Sequence, residues 1–236
     1  MITGSIRKMT VSGSSVAAAI VLSILALVSP MSAQAAQGHF ECRASALRLN
    51  LPLGLVVEPV AANSANNPCA TDSQAVLSFL NDLGIRTGTL VAKTNDAPLP
   101  VYARAKVEKV NVGNLLNLVN LRARAIRANA HVSVTQNGKC RLHSGSSLVG
   151  LAVQGQNFAT LNTPLDLDVK LLGLVVAKLH LNATLGGKHP TIGKPDATKV
   201  TQRAVWLHVT DPALQAVLGD LIMGEASVST VGNPCA

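Results

Sequence analysis

The sequence predicts an all-β fold, a two-layer antiparallel β-sandwich that is disulfide-stapled and carries one or two short peripheral helices. Three observations predict it. Apolar residues recur at every second position in many short segments, the period of a half-buried strand. Gly, Asn and Pro punctuate those segments at short intervals. Aromatic residues are only 2% of the 236 residues while 48% are apolar, so the core has to be aliphatic. Half-apolar sheets must cover one another, and two facing layers are the natural solution, with a barrel as the alternative.

The first segment stands apart. Arg7 and Lys8 precede the apolar run Val16–Val28, which is shorter than the roughly 20 residues a spanning helix needs. Pro30 follows, and Ala33-Gln34-Ala35 supplies small residues at cleavage spacing. We therefore expect a secretory signal peptide over 1–35 and a single β-rich domain over 36–236. The leader holds two of the 20 basic residues and none of the 12 acids, so the domain carries 18 against 12, a net +6. That balance suits a polyanionic envelope partner.

The strands follow in order. Leu47, Leu49, Leu51, Leu53 and Leu55 alternate onto one face, with Pro52 marking an edge or bend. A polar loop (AANSANNPCATD) comes next. Ser73–Leu83 places Val76, Phe79, Leu80 and Leu83 at helical spacing behind Thr71 and Gln74, a capping-box pattern, so the segment reads as a short helix, with a strand as the alternative because it is short. Thr87–Lys93 reads as a strand. In Val101–Val112, Val101, Ala103, Ala105 and Val107 alternate with Tyr102, Arg104, Lys106 and Glu108. Residues 111–120 read equally as helical turn or buried strand. In Leu121–Val134 the apolar set moves from Leu121, Ala123 and Ala125 to Ile126, Ala128, Ala130, Val132 and Val134. A β-bulge would produce that slip of one residue.

Asn137-Gly138 marks a turn, and Ser147–Val153 is a further strand. Leu165, Leu167, Val169 and Leu171, then Val175, Ala177, Leu179, Leu181 and Ala183, form a hairpin about Gly173. Residues 186–196 read as a loop and Arg203–Thr210 as a strand. Asp211-Pro212 resembles an N-cap with proline at the first helical position, and Leu214, Val217, Leu218 and Leu221 give a second short helix its stripe. Glu225–Val231 closes the series.

Cys42, Cys69, Cys140 and Cys235 all follow the leader. An even count in an exported chain implies two disulfides, with three pairings open; we favour Cys42–Cys235, joining the two ends, and Cys69–Cys140. The motif NPCA occurs at 67–70 and 233–236, suggesting two similar disulfide-bearing turns. No CxxC spacing exists, so zinc is not expected.

The stretches CRLHSGSSLVGLAVQGQ (140–156), LDLDVKLLGLVVAKLHLN, AVWLHVTD and GEASVS, in that order, together with the earlier CRASALRLNL and NLRARAIRANAHV, resemble the choice-of-anchor P family of exported bacterial proteins. The resemblance covers nearly all of the chain after the leader and implies a secreted or cell-envelope protein. It supplies no catalytic residues. The terminal NPCA adds neither an apolar segment nor a sortase motif, which departs from the family's sorting signals and leaves both release and envelope association open.

Candidate chemistry is sparse. Asp166 and Asp168 share a strand face with Lys170 and read as a solvated surface. His143 lies among Ser144, Ser146 and Ser147 without the G-x-S-x-G elbow of a nucleophile. His180 and His208 sit mid-strand without metal-ligand spacing. Trp206 reads as a core anchor between sheets, because sugar platforms need several aromatics. The densest basic stretch gives a possible anion-binding patch of Arg104, Lys106, Arg122, Arg124 and Arg127. Its single aromatic, Tyr102, argues against stacked single-stranded nucleic acid. The functional expectation is a non-enzymatic envelope or extracellular structural or interaction protein without cofactor, whose partners are anionic envelope polymers or another envelope protein, with no transmembrane helix after cleavage. The alternatives are a binding protein for an apolar, lipid-like envelope ligand and, third, a hydrolase.

Overall fold

A computed structural model describes residues 38–77, 84–96, 99–115, 119–171, 173–210 and 217–235; the expected leader lies outside them. Two antiparallel sheets face each other. The first contains β1 (His39–Asn50), β2 (Val56–Ala62), β10 (Leu165–Leu171), β11 (Leu174–Gly187), β12 (Asp196–Thr210) and β13 (Val217–Val231), ordered β10-β11-β12-β13-β1-β2. The second contains β3 (Asp72–Leu77), β4 (Ile85–Arg86), β5 (Thr89–Asn95), β6 (Val101–Leu115), β7 (Val119–Val134), β8 (Cys140–Val153) and β9 (Gln156–Leu161), ordered β3-β5-β6-β7-β8-β9 with β4 on β6. The first strand thus lies beside the last, from His39↔Val231 to Asn50↔Asp220.

Alternation places the core where the sequence predicts it. Leu47, Leu179, Leu181, Leu207 and Leu221 of the first sheet meet Leu90, Val107, Ile126, Leu148 and Leu151 of the second, all buried. No aromatic residue is among the fully buried core residues described. The small side chains let the sheets approach closely. A Cβ on Gly224 of β13 would lie 3.2 Å from Ile126 Cγ2 and 3.7 Å from Ala128 Cβ on β7. One polar network bridges the sheets: Gln202 donates to Ser146 Oγ (2.7 Å), which donates to Asn182 Oδ1 (2.7 Å), and Asn182 Nδ2 donates to the carbonyls of Leu161 and Thr163.

The phase slip expected in β7 is present, since Leu121 and Ala123 are buried, Arg124 is exposed, and burial resumes at Ile126, Ala128 and Ala130. The bulge expected to cause it is not. Register is constant across the slip, with Glu108↔Ala125 and Val110↔Ala123 on one side of β7 and Ala125↔Val149 and Arg122↔Ala152 on the other. Instead β6, β7 and β8 change phase together, and Lys109 (φ 51°) and Gly150 (φ 61°) adopt left-handed conformations at that level. A residue added to every strand at once moves no partner. The first sheet does the same with Asn182 (φ 54°) and Gly224 (φ 69°), while Leu181↔Val205 and Ala183↔Arg203, then Val205↔Met223 and Arg203↔Glu225, stay in step.

Both helix expectations are corrected. Residues 72–77 form edge strand β3, paired from Asp72↔Thr94 to Leu77↔Thr89, and 78–83 lie outside the described residues. Val217–Leu221 opens β13, paired with β12 at Thr210↔Val217, Val209↔Gly219 and Leu207↔Leu221, and 211–216 lie outside the described residues. In each case backbone pairing with a neighbouring strand outweighs a weak local helix, whose nucleus is costly at this length. Among the described residues the helical content is one 3-10 turn, Pro52–Gly54. That turn ends the leucine alternation, so Leu55 is exposed rather than core. Residues 111–115 and 119–120 resolve as strand, and β11 and β12 extend to Gly187 and from Asp196 into the expected loop.

The favoured disulfide pairing is also corrected. The bridges are Cys42–Cys69, with Cα atoms 4.8 Å apart, and Cys140–Cys235, at 5.5 Å. The β1–β2 hairpin returns the chain so that Cys69 N–H donates to Phe40 O (2.7 Å), which sets Cys69 beside Cys42. Each NPCA cysteine pins the coil after a strand, as its repetition suggested. Both bridges lie at the end of the sandwich where β1 starts and β13 finishes.

Candidate functional site

The two outer faces of the sandwich differ in electrostatic design. Strands β5 to β9 carry one acid, Glu108. Their outward positions carry Lys93, Arg104, Lys106, Lys109, Arg122, Arg124, Arg127 and Arg141. Register brings them together: Lys93↔Arg104↔Asn129 and Val91↔Lys106↔Arg127 are adjacent rows, followed by Tyr102↔His131↔His143. A shallow groove of about 560 Å³ runs over these rows, lined by Lys93, Tyr102, Arg104, Lys106, Arg127, Asn129 and His131. Three of the five residues of the sequence-derived patch, Arg104, Lys106 and Arg127, therefore meet in one groove. Arg122 and Arg124 project from the same sheet but lie beyond the phase slip, away from it.

Within the groove, Lys106 is paired with Glu108, and the lysine beside it holds the Glu108 carboxyl below its usual range. The Arg104 guanidinium stacks 4.4 Å over Tyr102, which orients its donors. His131 and His143 stack with centroids 4.8 Å apart and rings 15° from parallel. Burial first, then the neighbouring His143 and Arg104 charges, lower the His131 pKa, which favours a neutral ring. The groove thus presents Lys93, Arg104 and Arg127, which form no ion pair among the described residues, on a lattice of about 5 by 7 Å set by strand spacing and pleat. Planar guanidinium groups at that spacing suit phosphate or carboxylate oxygens.

The outer face of the first sheet is charged too, but its arginines are paired within it. Glu225 is buried and accepts from Arg43 Nη1 (2.9 Å), Arg48 Nη2 (2.7 Å) and Arg203 Nε (2.7 Å); Arg43 also pairs with Glu58. Burial lowers the Arg48 pKa, opposed by the Glu225 carboxylate. Trp206 lies here, contrary to its expected place between the sheets. It is held between His180 (5.1 Å) and Arg203 (4.4 Å), and its indole N–H donates to Asp220 (2.9 Å), which also pairs with His208 (2.6 Å). Position 206 alternates outward from buried Val205 and Leu207, which the strand period required.

Catalytic and metal candidates separate. Ser133 Oγ lies 2.9 Å from His143 Nε2 on the second sheet. His180–Asp166 (2.7 Å) and His208–Asp220 pair on the outer face of the first sheet. In the same sheet Glu41 accepts from Ser229 Oγ (2.8 Å) and lies 3.9 Å from His39, but there the carboxylate stands between serine and histidine, an order that leaves the serine without a histidine base. His180 and His208 flank Trp206 and engage different carboxylates. Among the described residues no group of three His, Cys, Asp or Glu could hold a metal ion, and no helix is long and apolar enough to cross a membrane. Asp168 faces Lys178 across β10–β11. Sequence reasoning missed Lys93 and the His131–His143 stack; alternation marks each as outward, but only cross-strand register joins them to the patch. Comparison of the chain with family models, curated proteins and solved structures finds no match.

Proposed function

We propose that the protein is an exported, non-enzymatic interaction or structural module of the cell envelope or extracellular space, and that the outer face of the β5–β9 sheet engages anionic envelope polymers. One observation carries this reading: the five strands present eight basic side chains against Glu108 alone, while on the opposite face Arg43, Arg48 and Arg203 are held by Glu58 and Glu225. Two disulfides fit an oxidising compartment, and the likeness to choice-of-anchor P proteins points the same way. A cation lattice fixed on a sheet loses little entropy on meeting a repeating anion.

Binding to long-chain polyphosphate and poly-L-glutamate tests it. Affinity should fall as salt rises, because polyanion binding releases counterions. Arg104→Glu with Arg127→Glu should weaken binding at least about 100-fold, at roughly tenfold per charge-assisted contact, while Lys178→Glu on the other face leaves it unchanged. Equal affinity of the groove variant and wild type would sink the reading. Fractionation of the native host tests the envelope or extracellular location.

A further inference from the structure

The basic groove does not stop at His131. Its last row, Tyr102↔His131↔His143, adjoins the end of the sandwich that holds both disulfides. The stack of His131 on His143 carries it across to β8. In the next outward row, Ser133↔Arg141, the Arg141 side chain is exposed. β9 pairs with β8 only from Leu148 onward, so residues 140–147 are the edge of the second sheet there. Beyond that edge lies a cleft of about 740 Å³, between the start of β8 and the β11–β12 connection of the first sheet. Arg141, His143, Lys188 and His189 line it, with Leu142 and Pro195. Both walls are held in place. Thr191 N–H and Ile192 N–H donate to Thr184 O (2.9 and 3.1 Å), Thr184 N–H donates to Thr191 Oγ1 (2.8 Å), and Gly187 pairs with Asp196. On the other wall the Cys140–Cys235 bridge pins the start of β8.

Charge decides what the cleft takes. Arg141 and Lys188 form no ion pair among the described residues, and no acid lines the cleft. The acids of this end stand apart and are engaged elsewhere. Asp196, at the rim beside the exposed Lys194, accepts from Thr198 N–H and Oγ1 (2.8 and 2.7 Å). Asp96 accepts from Thr71 Oγ1 (2.8 Å) and Asp72 from Asn63 N–H (3.0 Å), both on the β3–β5 side of the sheet. Glu41 accepts from Ser229 Oγ (2.8 Å) on the first sheet. From the Lys106↔Arg127 row to the Ser133↔Arg141 row is six residues of strand, about 20 Å, and the step from one sheet to the other adds about 10 Å. A track of about 30 Å is too long for a small anion and takes about nine residues of an extended chain. We infer that the cleft is a second anion subsite, and that one extended polyanion occupies groove and cleft together, crossing the His131–His143 stack from the outer face of the second sheet to the β11–β12 connection of the first. The inference rests on the proposed function and narrows its ligand to a chain of at least about nine anionic repeats. Two subsites on one rigid scaffold reinforce each other, because the second contact is intramolecular once the first has formed.

Oligoglutamates of defined length test it, at a salt concentration of about 0.15 M, where exposed charges more than about 8 Å apart are largely screened. Tetraglutamate reaches about 14 Å and covers the groove alone; dodecaglutamate reaches about 40 Å and covers both subsites. Wild-type affinity should rise at least about 100-fold from the short chain to the long one, at roughly tenfold for each of Arg141 and Lys188. Arg141→Glu with Lys188→Glu should remove that gain and change tetraglutamate binding by less than about twofold. Arg104→Glu with Arg127→Glu should weaken both lengths. Acetylation footprinting of the wild type needs no variant: the long chain should protect Lys93 and Lys188, the short chain Lys93 only. The same series in polyphosphate separates phosphate from carboxylate recognition, and the gain with length is expected for whichever repeat binds. Binding at neither length in either series would overturn the proposed function and this inference with it. Equal affinity for short and long chains, an equal loss at both lengths in the Arg141→Glu, Lys188→Glu variant, or a Lys188 left unprotected by the long chain would overturn this inference alone.

Discussion

Glu225 shows how a single side chain organises a surface. It is 4% exposed and takes three guanidinium groups from β1 and β12. Glu225→Gln keeps the shape and removes the charge, leaving Arg43, Arg48 and Arg203 to repel one another; we expect a loss of about 3 kcal/mol in urea unfolding, the usual result of breaking a partly buried ion cluster from one side. His131 carries the opposite lesson. Its pKa is lowered in the fold by burial and by the His143 and Arg104 charges. Between its folded value and the ordinary value of about 6.5, the unfolded chain binds the proton more readily. Stability should therefore fall as pH drops below about 6.5, level off below the folded value, and do so less in His131→Gln. Unfolding midpoints measured at several pH values, with an NMR titration of the His131 ring, check the direction. The sequence identifies Glu225 and His131 as outward residues by alternation. Neither Arg43, some 180 positions from Glu225, nor His143 beside His131 can be paired with them without the register.

At the scale of the element, the coordinated phase change is the main finding. Leu121 to Val134 announces its slip in the sequence, because apolar residues change parity at Ala125 and Ile126. What absorbs the slip is invisible in one strand: β6 and β8 change parity at the same level, with Lys109 and Gly150 in left-handed conformations. In the first sheet Gly224 occupies the equivalent position under Ile126. Gly224→Ala should cost about 2 kcal/mol, from a Cβ at φ 69° and contacts at 3.2 and 3.3 Å with Ile126 and Ala204. Gly155→Ala, also left-handed but with no atom within 4 Å, should cost only about 1 kcal/mol. Thermal unfolding of the pair separates backbone strain from close packing. The mistaken helices belong to this scale too. Val76 and Leu221 satisfy both helical and strand periods over six residues, and only the open backbone of β5, or of β12 and β1, decides between them.

For the whole molecule, the disulfides fix how distant segments close. Cys140–Cys235 spans 95 residues and ties the coil after β13 to β8; Cys42–Cys69 spans 27 and clamps one hairpin. Chain entropy ranks them, at about 4.7 kcal/mol for the long loop against about 3.6 for the short one. Paired Cys→Ser variants should unfold in guanidinium in that order, and a reversed order would mean that native-state effects outweigh loop closure.

The sequence by itself determined the layers. Period-2 alternation with few aromatics requires half-buried strands around an aliphatic core, with two facing sheets favoured over a barrel, and it assigns Arg104, Lys106 and Arg127 to solvent. These are local properties, carried by residues one and two positions apart. Tertiary structure decided which strands are neighbours: β1 between β13 and β2, Cys140 beside Cys235, Lys93 next to Arg104. Such contacts join segments far apart in the chain, and nothing in a strand's own alternation names its partner. The basic groove and the arginine cluster on Glu225 therefore emerge only when register stacks the rows.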